Sequence, residues 1–324
     1  MSQRVALFLP EPKNPYQQSM AADASDTCSR VGLVLAATSY AESSGGDQTT
    51  GQVRQIYAAV HAPEGERPDA IMIMPVQEAA LHGLMESAVE SGIGVMFLNR
   101  AGDVSALRQK SHDVPVGFVS PDHVGAGRIQ GRQVGALLGG VGNVMYIRGR
   151  ASNASAQERG AGFLEAIAET QIEIATTLEG NWSGDMARST AEKWLRMMLP
   201  SGYPVHAIAS QSDLMSVGIL QALRSLSVDL DRPAVAKIPV FGLDGVDIVG
   251  KRMVDEGALA ATVTMPTTAG RAIELLAGWY KSRTPIPPKV VLPATPYPDE
   301  AELRGRKSPD GAALSSPSRP DARA

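Results

Sequence analysis

Residues 69–100 read DAIMIMPVQEAALHGLMESAVESGIGVMFLNR and contain the unit from which most of the chain is built. Two short apolar runs, at 70–74 and 94–98, flank a stretch at 79–91 whose apolar residues recur at helical spacing. Neither run alternates apolar with polar residues, which is typical of strands covered on both faces. The stretch therefore predicts a strand–helix–strand unit in a parallel sheet.

The same alternation continues along most of the chain. Strand-like runs occur at 5–9, 32–37, 70–74, 94–98, 116–119, 143–147, 172–177, 207–209, 240–243 and 261–264. Helical patterns occur at 16–31, 51–61, 79–91, 124–138, 154–168, 185–198, 214–226 and 268–280. The predicted fold class is α/β, with parallel sheets flanked by helices.

The first part of the chain also resembles the later part. RVALFLP at 4–10 matches NVMYIRG at 143–149, and PDAIMIMPV at 68–76 matches VHAIASQSD at 205–213. GIGVMFLNR at 92–100 matches KIPVFGLDG at 237–245. Because the offset is nearly constant, the repeat predicts two similar α/β lobes.

Composition bounds the class of protein. The 324 residues suffice for two domains with cores of their own, and 44% hydrophobic with 20% charged residues is typical of a globular protein. A net charge of −4 without a basic stripe argues against nucleic acid binding. The single cysteine, Cys28, is interpreted as a packed helix residue, and the five scattered histidines lack metal-ligand spacing. We expect no metal and no cofactor.

The chain as given begins almost directly with its first predicted strand. The apolar run at 5–9 is too short for the core of a signal peptide, and no run approaches the roughly 20 residues of a membrane helix. We expect no direct membrane insertion. Two explanations stay open: an export signal is missing from this version, or the protein is cytoplasmic.

Ligands of open α/β sheets bind beyond the carboxyl ends of the strands. Amides, arginines, carboxylates and two aromatic rings follow the predicted strands, which suits a neutral polyhydroxy ligand. These residues are Asn14, Tyr16, Gln17, Asn99, Arg100, Arg148, Arg159, Trp182, Gln211, Ser212, Asp213 and Asp244.

Several of these candidates also have a structural explanation. Ser212 and Asp213 could cap the helix that follows them, and Asp244 before a glycine could form an ordinary turn. Tyr16 and Trp182 could be core rings. The chain lacks the nucleophile elbow, the Walker A loop and a Gly-x-Gly-x-x-Gly segment after its first strand, so we predict no catalytic residues and no enzyme.

Several stretches resemble the type I periplasmic sugar-binding proteins, close in pattern to ribose-binding proteins and to the ligand-binding core of LacI-type repressors. The matching stretches are NPYQQSM, DAIMIMP, GVMFLNR, FVSPDHVGAGRIQGR, SAQERGAGFLEAI, SQSDLMSVGILQAL, VFGLDGVD and GALAATVTMP, in family order over most of residues 5–280. The resemblance implies two lobes joined by three crossovers that close on a ligand like a hinged trap.

Boundaries follow from this resemblance. The first lobe is expected at 1–119 plus 266–288 and the second at 120–265 plus 289–300. Residues 301–324 are polar and rich in proline and serine, so they are interpreted as a disordered tail.

The resemblance also assigns a ligand-binding set position by position. It comprises Asn14, Tyr16, Gln17, Asn99, Arg100, Arg159, Trp182, Ser212, Asp244 and Met265. Four of these depart from the ribose pattern: Gln17 replaces an aromatic ring, Asn99 an aspartate, Ser212 an asparagine and Met265 a glutamine. The departures argue against ribose itself and leave room for a sugar acid, because Arg100 and Arg159 are kept while a negative charge is lost.

The resemblance implies a solute-binding protein for a sugar, polyol or sugar acid. Its partner would be an ABC transporter permease or a sensor protein, and its location the periplasm or cell envelope. The alternative is a cytoplasmic ligand-sensing module that acts through protein contacts, because no DNA-binding helix-turn-helix fits before residue 5.

Overall fold

A computed structural model describes residues 2–42, 47–100, 104–111 and 113–306. Along the chain the strands are β1 (Arg4–Leu9), β2 (Val34–Tyr40), β3 (Ala70–Ile73), β4 (Gly94–Leu98), β5 (Val116–Pro121), β6 (Val141–Arg148), β7 (Gln171–Glu179), β8 (Ala207–Ser210), β9 (Val240–Phe241), β10 (Thr262–Thr264), β11 (Val290–Leu292) and β12 (Thr295–Tyr297). The α-helices are α1 (Pro15–Val31), α2 (Gln48–Val60), α3 (His82–Glu90), α4 (Val104–Lys110), α5 (His123–Leu138), α6 (Ala154–Ile167), α7 (Gly184–Met198), α8 (Asp213–Asp229), α9 (Arg252–Asp255), α10 (Ala269–Ser282) and α11 (Glu300–Gly305).

The chain divides into two compact units. The first unit comprises Met1–Gly125, Asn153–Glu158 and Met265–Ala294. The second comprises Ala126–Ser152, Arg159–Thr264 and Thr295–Ala324. Each unit has a parallel sheet with helices packed against it, so the predicted α/β class is confirmed.

The sheet of the first unit has the order β11-β5-β4-β3-β1-β2, with every pair parallel. Strands β3 and β4 are buried along their whole length, as their unbroken apolar sequence predicts. Helix α1 begins after β1, where Asn14 Oδ1 accepts a hydrogen bond from Gln17 N (3.2 Å) and Pro15 occupies the first turn. Within this helix Cys28 is buried, and burial raises the pKa of its thiol to about 11.

The sheet of the second unit has the order β7-β6-β8-β9, again parallel. Strand β10 continues it through bridges from Phe241 to Ala261 and from Asp244 to Thr264, and β12 pairs antiparallel with β10. The order β2-β1-β3-β4-β5 of the first unit thus has its counterpart in β7-β6-β8-β9-β10. The internal repeat predicted from the sequence is present in the topology.

Some predicted boundaries are wrong. The sequence assigns residues 289–300 to the second lobe, but residues 289–294 belong to the first unit, where β11 pairs with β5 and Val290 lies opposite Val119; only residues 295–300 lie in the second unit. The predicted disordered tail begins at residue 301, but α11 is capped by Asp299 and places Leu303, which has no exposed surface, in the core of the second unit. Residues 307–324 of that predicted tail lie outside the described residues. Over the part of the chain that is described, no helix is long and apolar enough to cross a membrane.

Candidate functional site

Three side chains of the first unit, two of them predicted site residues, are connected by a chain of hydrogen bonds. Asn99 Nδ2 donates to Tyr16 Oη (3.1 Å), and Tyr16 Oη donates to Pro266 O (2.8 Å). Thr268 Oγ1 donates to Asn99 Oδ1 (2.8 Å). We call Tyr16, Asn99 and Thr268 the amide cluster; all three are buried at the carboxyl end of the sheet.

The backbone at Asn99 is unusual. Its φ is +62°, in the left-handed region, where asparagine is better tolerated than most residues with a side chain. The carbonyl oxygen of Asn99 accepts hydrogen bonds from Ser120 Oγ (3.4 Å) and from His123 Nε2 (3.1 Å). Strain of this kind persists only where surrounding contacts determine the conformation, and it occurs often at ligand sites.

The remaining first-lobe candidates surround this cluster. Asn14 is half-buried and its oxygen caps α1, while Gln17 Oε1 accepts a hydrogen bond from Glu11 N (2.7 Å). Both side chains therefore stabilise the turn between β1 and α1. Arg100 is only 7% exposed and directly follows Asn99, so a cation is buried at the end of β4.

A charged group occupies the corresponding edge of the second unit. Arg159 Nη1 donates to Gln211 O (2.5 Å) and lies 3.4 Å from Asp244 Oδ1. The guanidinium carbon of Arg159 lies 5.4 Å from the centre of the Trp182 ring, within the range of a cation–π interaction. We call Arg159, Trp182 and Asp244 the charged cluster. Arg159 and Asp244 are buried and Trp182 is partly buried.

The position of Trp182 depends on an unusual backbone and on a glycine. Asn181 and Trp182 both have positive φ, +52° and +64°, in the turn between β7 and α7. A Cβ atom on Gly149 would overlap the six-membered part of the Trp182 ring. Only glycine at 149 lets the indole lie there. The glycine that directly follows β6 is therefore required by the position of the Trp182 ring.

Burial dominates the electrostatics of the two neighbouring aspartates. Burial raises the pKa of Asp244 against the opposing effect of the Arg159 cation, and with a smaller contribution from Asp213 the pKa reaches about 8. Burial likewise raises the pKa of Asp213 to about 6, although hydrogen bonds from Thr262 and Gly245 favour its ionised form. One arginine thus faces two carboxyl groups that are costly to ionise.

The structure gives Ser212 and Asp213 separate roles. Ser212 Oγ caps α8 by accepting from Met215 N (3.2 Å), which is one of the two alternatives for this residue. Asp213 is the first residue of α8 rather than its cap: it is 2% exposed and its carboxylate accepts from Thr262 Oγ1 (2.7 Å) and Gly245 N (2.7 Å). It braces the loop that carries Asp244.

Met265, the last predicted site residue, is 4% exposed and directly follows β10. It belongs to the first unit rather than to the predicted second lobe. Its apolar side chain fits burial and offers no strong hydrogen bond to a polar ligand.

Several supporting residues lie outside the ligand-binding set that the family resemblance assigns, although Gln211 is among the loop-end candidates. Gln211 has no exposed surface; its Oε1 accepts from Gly149 N (2.9 Å) and its Nε2 donates to Tyr146 Oη (2.9 Å). Thr268 of the amide cluster is also missed. The position of Gln211 directly after β8 is a usable signal, whereas Tyr146 and Thr268 lie far from their partners in the sequence.

The model of the periplasmic binding protein domain family matches residues 5–277. A xylitol-binding protein of Mycolicibacterium smegmatis is 29% identical over 210 residues, which cover 63% of this chain and 55% of the relative. A D-ribose/D-allose-binding protein of Pseudomonas aeruginosa is 27% identical over 194 residues, covering 60% and 57%. The matches thus span little more than half of these relatives.

Among solved structures, a periplasmic solute-binding protein of an ABC transporter from Actinobacillus succinogenes, with bound D-allose, has a TM-score of 0.77. It is 20% identical, and the similarity covers 94% of this chain and 100% of that one. At that identity the likeness establishes the fold. Together with the family match over residues 5–277, it shows that the chain belongs to the periplasmic binding protein domain family.

Proposed function

We propose that this protein binds a carbohydrate-like solute, a sugar, polyol or sugar acid, and closes its two units around it. The observation that carries the proposal is the charged cluster of the second unit. There a buried arginine, a buried carboxyl group and an indole ring stand together where the strands of a parallel sheet end.

The chemistry of this cluster suits a polyhydroxy ligand. Arg159 offers hydrogen-bond donors, Asp244 offers acceptors, and the face of Trp182 can cover the apolar face of a sugar ring. In the first unit Tyr16, Asn99 and Arg100 add a ring, an amide and a second cation. The relatives that bind xylitol and D-ribose or D-allose support the ligand class.

Delivery to an ABC transporter from the periplasm is part of the same proposal. It rests on the family and on the transporter role of the structural relative from Actinobacillus. A closed, ligand-bound form would present one surface for the permease to recognise, since a ligand can shift a two-state equilibrium by its differential affinity.

A thermal-shift screen of the full chain against pentoses, hexoses, polyols and sugar acids tests the ligand class. A ligand that binds only the folded state raises the melting temperature with concentration. The matched control is Arg159→Met, which should lose the shift in the range where the wild type responds. If folded, ligand-free protein responds to none of the four classes, the carbohydrate proposal is wrong.

A further inference from the structure

The chain crosses from the second unit to the first between Thr264 and Met265. On each side of this crossover, an aspartate of the same unit accepts a hydrogen bond from the chain. Thr262 and Thr267 stand on the two sides of this crossover. The hydroxyl of each donates a hydrogen bond of 2.7 Å to a carboxylate of its own unit, Asp213 and Asp23 respectively.

In the first unit Asp23 replaces a missing helix cap. Helix α10 begins after Thr268, whose side chain makes no capping bond and donates its hydroxyl hydrogen to Asn99. Instead Asp23 Oδ2, on α1, accepts from Gly270 N (2.8 Å) as well as from Thr267 Oγ1. A Cβ atom on Gly270 would overlap the Asp23 carboxylate. Asp23 thus leaves Thr268 available to the amide cluster.

In the second unit Asp213 plays the equivalent part. It accepts from Thr262 in β10 and from Gly245, the residue after Asp244. The Cβ of any other residue at 245 would overlap Thr264, so the loop of Asp244 lies directly on β10. The chain receives one further tie on each side, from Asp244 N to Val263 O and from Tyr16 Oη to Pro266 O.

We propose that Asp23 and Asp213 are positioning residues that clamp this crossover from both sides and confine its bending to Thr264 and Met265. Val263 O accepts a hydrogen bond from Asp244 N, and Pro266 O accepts one from Tyr16 Oη. Bending between Thr264 and Met265 therefore leaves Asp244 and Tyr16, two residues of the proposed ligand site, each attached to its own unit. The proposal rests on the proposed closure of the units, but its test needs no ligand.

Hydrogen exchange of the full chain, followed by mass spectrometry over residues 240–275, tests the two clamps separately. Asp23→Ala should speed exchange at the start of α10 by about tenfold, because Gly270 N opens to solvent once its acceptor is lost. Thr267→Val should speed it less, because it leaves that bond in place and removes only the hydroxyl that donates to Asp23. The segment before Thr264 should stay unchanged. Thr262→Val should do the reverse, speeding exchange in β10 and around Gly245 alone.

Controls separate positioning from general destabilisation. Asp26→Ala lies on the same helix as Asp23 and is exposed, so it should leave both segments unchanged. Asp23→Asn retains an oxygen for both donors and should restore slow exchange. The proposal is overturned if any single variant speeds exchange on both sides of Thr264, if none of them speeds it, or if Asp23→Asn behaves as Asp23→Ala.

Discussion

In the first unit, Tyr16, Asn99 and Thr268 hold one another through neutral hydrogen bonds, whereas in the second unit the buried cation of Arg159 meets the titratable carboxyl group of Asp244 beside Trp182. Both groups stand where the strands of equivalent sheets end. Removing a member of a neutral set leaves an unpaired dipole, while removing a buried ion leaves an uncompensated charge. The two clusters should therefore differ sharply in their sensitivity to substitution and to pH.

Loss of the Arg159 cation should produce the largest effect. Arg159→Met keeps the length of the side chain but leaves Gln211 O without this donor and, at about pH 9, the ionised Asp244 without its counter-ion, which should cost about 3–5 kcal/mol. Urea unfolding measures the loss. Arg196→Met, which breaks exposed ion pairs with Glu192 and Asp229, is the control and should cost no more than about 1 kcal/mol. Equal losses of stability in Arg159→Met and Arg196→Met would show that the buried arginine is no more important for stability than an exposed one.

The charged cluster should also respond to pH. The pKa of Asp244 is raised by burial to about 8 from an ordinary value of 3.8, so the folded state binds more protons than the unfolded state between these values. The stability that the protonated form contributes is complete below the unfolded pKa and is lost as the pH rises through the folded pKa. Asp244→Asn lacks this titration. The wild type should therefore lose stability relative to Asp244→Asn as the pH rises to about 8, and the difference in free energy of unfolding should shift in favour of the variant.

Denaturation of both proteins from about pH 3 to about pH 9, a range that brackets the two pKa values of Asp244, checks this prediction when the difference in free energy of unfolding is plotted against pH. Asp247→Asn is the control, because that carboxylate is 83% exposed and its removal should give a flat difference. A difference that favours the wild type increasingly at high pH would mean that the ion pair with Arg159 outweighs burial.

A methyl group under the indole should displace Trp182 without touching either charge. Gly149→Ala places a Cβ within the ring, and overpacking of this kind costs about 1–3 kcal/mol. Fluorescence in a background with Trp194→Phe and Trp279→Phe reports on Trp182 alone. Gly83→Ala, on an open face of α3, is the control and should leave the spectrum as it was. An unchanged Trp182 spectrum in Gly149→Ala would show that the ring does not depend on this glycine.

Most of the strands could be predicted because those buried on both faces carry unbroken apolar runs. β11 and α11 are missed for the opposite reason. β11 has three residues at a sheet edge among prolines, none of them buried, and α11 contributes a single buried side chain, Leu303. Short elements of this kind are held by tertiary contacts, which leave little periodicity in the sequence.

For the site, the residues that follow the strands could be identified from the sequence, but the role of each of these residues could not. The sequence places Asp213 beside a helix start, where a capping role is plausible; its actual donors, Thr262 and Gly245, lie distant in the chain. The positive φ of Trp182 is equally invisible, since a bulky ring rarely adopts it. Such contacts depend on the assembled fold.

The smallest expected effect belongs to the amide cluster. Thr268→Val keeps the shape of the side chain but removes the hydroxyl that donates to Asn99 Oδ1, and it introduces no charge. One buried acceptor loses its partner, so the loss should be about 1 kcal/mol. A double-mutant cycle with Tyr16→Phe tests whether the bonds on the two sides of the Asn99 amide support each other, because without the Tyr16 hydroxyl the Thr268 substitution should cost less. Additive losses would mean that Tyr16 and Thr268 act separately, and the first unit would then hold no connected set of neutral bonds to contrast with the charged cluster of the second.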